Sequence, residues 1–114
     1  MNKDSTKYYS NRQERLVAKS LGGKQVSGSG ASIFSKGDVR VGNKILVECK
    51  TSMTEKTSYS IKQNILDKIE KEAKEMGKYF SMLAFNFGPN TKNYYVLNEE
   101  AIKFFVKKVV EEYE

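Results

Sequence analysis

The sequence predicts an α/β domain in which a small mixed β-sheet is flanked by helices, in the order helix, two strands, helix, two strands, helix. Three observations carry this expectation. Apolar residues recur at spacings of three and four in two segments, Ile61-Ile65-Ile69-Ala73-Met76 and Ile102-Phe105-Val106-Val109-Val110-Tyr113, which marks two helices. Short apolar runs around Val47 and Leu83 have the length of strands. Glycine-containing turns at Gly22-Gly23, Gly42-Asn43 and Gly88-Pro89-Asn90 separate the segments.

In chain order, residues 1–10 are polar and expected to be flexible. A first helix is expected over residues 11–21 with Asn11 as its N-cap, ended by Gly22-Gly23. Residues 26–32 are small and loop-like. Strands follow over residues 35–41 and 44–51, then a Lys/Thr/Ser-rich segment over residues 52–60. The second helix is expected over residues 61–77, stopped by Gly77. Residues 79–87 and 94–97 read as strands. Asn98 caps a last helix with Glu99 and Glu100 at its positive end.

The 114 residues suit a single domain spanning 1–114. There is no histidine, which excludes a Ser-His-Asp triad, a Cys-His dyad and histidine-ligated metal chemistry. A single cysteine excludes an internal disulfide framework. No apolar run reaches membrane-spanning length and no signal-peptide core opens the chain, so an intracellular location is expected. The formal charge is +6, and it is uneven: residues 1–62 carry +7 and residues 63–114 carry −1. A basic half points to a polyanion such as nucleic acid; a lysine-rich solvated surface gives the same arithmetic.

The second strand contains Ile45-Leu46-Val47-Glu48-Cys49-Lys50. Alternation puts Leu46, Glu48 and Lys50 on one face. A carboxylate and an ammonium beside each other on so apolar a strand form either an ordinary solvated ion pair or part of a site. Asp38 lies ten residues earlier, and the hairpin register decides whether it meets Glu48. A two-residue loop at Gly42-Asn43 pairs Val41 with Lys44 and sends Glu48 to the other face. A three-residue loop pairs Val41 with Ile45 and sets Asp38 across from Glu48. We adopt the second register. Two acids so placed repel unless a cation lies between them, and oxygen ligands favour a hard ion, Mg²⁺. Glu14 shares a helical face with Val17, Ala18 and Leu21. It is either a salt-bridged helix-edge residue or a further acid of the same site.

Glu14, Gly28-Ser29-Gly30, Lys36-Gly37-Asp38-Val39 and Val47-Glu48-Cys49-Lys50-Thr51, in this order, resemble the PD-(D/E)xK nuclease superfamily. Within it they are most similar to the archaeal-type Holliday junction resolvases, including phage-encoded versions. The resemblance runs from residue 14 to about residue 86; one departure is Gly37, where the family has proline. It implies a restriction-endonuclease-like core and a metal-dependent endodeoxyribonuclease that resolves four-way DNA junctions by phosphodiester hydrolysis. Asp38, Glu48 and the Cys49 carbonyl would ligate Mg²⁺, with Mn²⁺ as a substitute. Glu14 would bind a metal or a water on it. Lys50 would be a base or an electrostatic stabiliser. Gly28, Ser29 and Gly30 would meet the DNA backbone, with Lys36, Arg40, Lys56, Lys62 and Gln63 around them. A homodimer in the cytoplasm, or the host's for a phage protein, is implied. Two alternatives stay open: a nuclease of this superfamily acting on other duplex or branched DNA in repair, restriction or packaging, and a basic DNA-binding module without catalysis.

Overall fold

The computed structural model describes residues 6–26 and 37–114. Its elements are α1 (Thr6–Leu21), β1 (Lys24–Gln25), β2 (Val39–Val41), β3 (Ile45–Lys50), α2 (Gln63–Glu75), β4 (Phe80–Phe85), β5 (Tyr94–Val96) and α3 (Glu99–Tyr113). The five strands form one sheet in the order β1-β2-β3-β4-β5. β3 and β4 are parallel and the other pairs antiparallel. The parallel pair needs a crossover, which α2 supplies.

Strand alternation divides the core into two layers. Val39, Val47, Met82 and Ala84 pack under Val17 and Ala18 of α1, with Leu21, Val41, Ile45 and Cys49 at the margin. On the opposite face Leu46 and Leu83 are fully buried, and Ile69 and Ala73 of α2 are buried. The expected spacing of α2 thus faces the sheet, except that Ile61 lies before the helix and is exposed.

Three expectations are corrected. α1 already includes residues 6–10, so Asn11 is inside the helix and caps nothing; Tyr8 and Tyr9 pack edge to face with centroids 5.2 Å apart. The remaining residues of the expected flexible start, 1–5, lie outside the described residues. A short edge strand, β1, precedes the hairpin; two residues cannot display an alternation from which to predict it. The apolar stripe of α3 does not face the core: of that helix only Ala101 is buried. The expected cap holds, with the Asn98 side chain accepting from the Ala101 N–H at 2.9 Å.

The hairpin adopts the three-residue loop. Val41 pairs with Ile45, Arg40 with Leu46 and Val39 with Val47. Beyond Val39 the ladder is irregular: the Asp38 N–H donates to the Val47 carbonyl at 3.0 Å. Gly37 sits at φ 78°, and a Cβ there would come within 2.4 Å of the Leu46 Cδ1. Proline, locked near −65°, cannot occupy this backbone.

Gly37→Ala should lower stability by about 2–3 kcal/mol, from left-handed strain together with overpacking against Leu46. A urea-unfolding midpoint measures it. A change within a few tenths of a kcal/mol would show that the chain relaxes at this position at little cost.

Candidate active site

The site lies where β2 begins and β3 ends. Asp38 precedes β2, and its Oδ2 accepts from the Cys49 backbone N–H at 2.7 Å. Glu48 is buried on the α2 face of β3. Its Oε2 lies 3.7 Å from the Lys50 ammonium and 3.7 Å from that of Lys68 on α2. Lys68 also approaches Oε1 of the buried Glu72 at 3.8 Å. Glu14 reaches the same region from α1, where the Gln25 side chain hydrogen-bonds it.

The carboxylates act on one another. Burial pushes Glu14 up to about 7, Asp38 and Glu48 add to the rise, and the Gln25 hydrogen bond opposes it. Glu48 is also raised, first by burial and then by Asp38, with Lys68 and Lys50 opposing and Glu72 adding. Cys49 is raised by burial and then by Asp38, Glu14 and Glu48, so it stays a thiol and packs at the core margin.

Hard oxygen donors and like charges that need neutralising suit a divalent cation of the Mg²⁺ class. Among the described residues, no three His, Cys, Asp or Glu side chains already stand close enough to enclose an ion. The reason is visible in the partners: one Asp38 oxygen is taken by the Cys49 amide, and Glu48 is turned to two lysines. Asp38 and Glu48 are the carboxylates here that could hold a cation, in competition with these partners.

Of the other expected site residues, Arg40, Lys56, Lys62 and Gln63 are exposed. Lys62 and Gln63 open α2. The Lys56 N–H donates to the Phe87 carbonyl at 2.7 Å, fixing its loop beside the end of β4. Gly28, Ser29, Gly30 and Lys36 lie outside the described residues.

Four residues escaped the sequence reading. Lys68 and Glu72 follow Ile65 and Ile69 by three positions, at the border of the α2 stripe; a charged residue in that place is the same signal that singled out Glu14. Tyr59 stacks on Phe85 at 4.7 Å, and its hydroxyl is raised by burial and then by Glu48. Gln13 is buried next to Glu14 in sequence. Its Nε2 donates to the Lys50 carbonyl at 2.9 Å and to Asn93 Oδ1 at 3.1 Å, with the Ala84 carbonyl at 3.3 Å. It ties α1 to the ends of β3 and β4. A polar group enclosed by apolar neighbours on a basic helix carries a sequence signal only once its face is known.

No family model matches the chain, and no curated protein sequence matches it. Among solved structures it is similar to Hjc, a Holliday junction resolvase from the archaeal hyperthermophile Archaeoglobus fulgidus. The TM-score is 0.54 and the identity 22%, over 75% of this chain and 73% of that chain. The two share a fold, the α/β architecture expected from the sequence.

Two predictions follow from this geometry. A carboxyl raised in the folded state binds more protons folded than unfolded, so its contribution to stability is present below its unfolded value and is lost as pH rises through the folded one. For Glu14 the window runs from 4.5 to about 7. Metal-free protein should lose thermal stability across it, and Glu14→Gln should flatten that part of the profile. Mg²⁺ should raise the melting temperature above the window and not below it. Gln13→Ala leaves buried carbonyls unpaired and should cost about 1–3 kcal/mol in chemical denaturation. A neutral result would mean that water replaces the amide.

Proposed function

We propose that this chain is a divalent-metal-dependent endodeoxyribonuclease that cuts four-way DNA junctions. The observation that carries the reading is the electrostatic influence of Asp38 on both Glu14 and Glu48, three acids from separate elements, with Lys50 beside Glu48, in a fold shared with a junction resolvase.

Phosphodiester hydrolysis needs an activated water, neutralised phosphate charge and help for the leaving oxygen. A bound divalent ion supplies Lewis acidity and a more acidic water. Asp38 and Glu48 would hold the ion by their carboxylates and Cys49 by its backbone carbonyl, and Glu14 would orient a water beside it. Lys50, with its side chain 42% exposed, is open to an incoming phosphate and offsets the charge that develops there. Arg40, Lys56, Lys62 and Gln63 offer exposed polar groups to the DNA backbone, and residues 28–30 with Lys36 complete the reading. The residue net charge of +7 over residues 1–62 suits that partner. A junction has near two-fold symmetry, which a two-fold dimer with one site per subunit matches. DNA as partner implies action inside the cell that holds it.

The test compares four-way junction, flap and linear duplex with and without Mg²⁺, with Mn²⁺ as a second ion. Strand cleavage of the junction that requires the ion is expected, with the other substrates cut more slowly. Asp38→Ala and Lys50→Ala should each reduce cleavage on the order of 10²- to 10³-fold while junction binding persists. Equal cleavage of all substrates would replace junction resolution with a broader nuclease activity. Binding without any cleavage would leave a DNA-binding module.

A further inference from the structure

Among the acids of α2, Asp67, Glu70 and Glu75 are exposed and Glu72 is buried, together with Ile69 and Ala73. A carboxylate in such a place costs stability unless it is paired. Its Oε1 has no hydrogen-bond partner. Among the described residues its one ion-pair partner is the Lys68 ammonium, 3.8 Å from that oxygen. Helix stability does not account for the pair, because lysine four residues before glutamate is the weaker of the two orders.

The same ammonium lies 3.7 Å from Glu48 Oε2. One lysine thus stands between two buried carboxylates of different elements, at distances that make ion pairs and not hydrogen bonds. The two carboxylate side chains are 9% and 11% exposed and that of Lys68 is 59% exposed, so the lysine reaches in from solvent. One positive charge shared between two negative ones compensates each only in part. Lys68 can therefore yield Glu48 and still keep a partner. Lys50 faces the same Glu48 oxygen at 3.7 Å, and among the described residues it pairs with no second acid. A cation on Glu48 would take an oxygen that Lys68 now faces, and like charges there repel. Glu72 draws the ammonium the other way.

We propose that Lys68 is a positioning residue that sets how tightly Glu48 takes a divalent cation: its ammonium competes for the carboxylate, and Glu72 weakens that competition by holding the ammonium from the other side. The proposal rests on the reading of Asp38 and Glu48 as cation ligands. It assigns neither Lys68 nor Glu72 a bond to the ion.

Mn²⁺ binding to DNA-free protein tests it, read from the loss of the free ion's electron paramagnetic resonance signal at about pH 8, where few protons compete for the ligands. Asp38→Ala should weaken binding by about tenfold or more, which locates the ion at the acidic site. Lys68→Gln should tighten binding by about two- to fivefold, the scale of one partly exposed ion pair. Lys68→Arg keeps the charge and should bind the ion more weakly than Lys68→Gln. Glu72→Gln should weaken binding, yet have little effect once Lys68→Gln is present, because the ammonium through which it acts is gone. Damage to α2 would weaken binding in every variant and would not give opposite signs. Circular dichroism checks folding; if Lys68→Gln alone unfolds, the charge-balanced double variant should still bind more tightly than Glu72→Gln. Failure of Lys68→Gln to tighten binding in either background, or an equal loss from Glu72→Gln with and without Lys68, would overturn the proposal and leave the cation site standing. A wild type that takes up no Mn²⁺, or uptake indifferent to Asp38→Ala, would remove the cation site and the proposal with it.

Discussion

Like charge concentrated where a strand pair ends is the constraint on which the rest of this structure turns. Glu14, Asp38 and Glu48 come from a helix, a loop and a strand, yet Asp38 and Glu48 oppose the ionisation of Glu14, and Asp38 opposes that of Glu48. A folded chain holds such a group only if something compensates. Here the compensation is local and divided: the Cys49 amide for Asp38, the Gln25 side chain for Glu14, and two lysines for Glu48. Those partners are flexible or exposed, apart from the amide.

What holds the acids near one another is neutral. Gln13 anchors α1 to backbone carbonyls at the ends of β3 and β4, and Glu14 is its neighbour in sequence. Asn93 and Asn86 continue the chain of hydrogen bonds, the latter accepting from Thr51 Oγ1 at 2.8 Å and the Gly88 N–H at 3.1 Å. Such a buried network is most effective when every member is satisfied. Only Gln13 Oε1 is left without a partner among these groups. On the other side, Tyr59 against Phe85 holds the segment between β3 and α2 along the sheet.

The molecule presents two unlike surfaces. The acidic site with its exposed cations belongs to the ends of the central strands, while the apolar stripe of α3 projects at the opposite end of β4, beside Phe80. This separation means that covering α3 need not obstruct access to the strand ends. It also explains how a helix so rich in valine and phenylalanine contributes only Ala101 to the buried interior.

Periodicity alone determined most of the architecture. The spacing in α2, the apolar length of β4, the Asn98 cap and the order of strands and helices are local properties, and local properties survive folding. Turn length was not legible: both hairpin registers fitted the sequence, and the fold settled the three-residue loop that was adopted. Tertiary structure decided what has no local signature. α1 extends back to Thr6 through Tyr8 and Tyr9, which pack on each other, and β1 is too short to show a pattern. The α3 stripe has the spacing of a core face but points away from the core, because periodicity reports that a face must be covered and not by what. Lys68, Glu72 and Gln13 joined the site only when the crossover helix and α1 were laid on the sheet. Their roles arise from proximity between elements distant in sequence, which no single stretch of residues encodes.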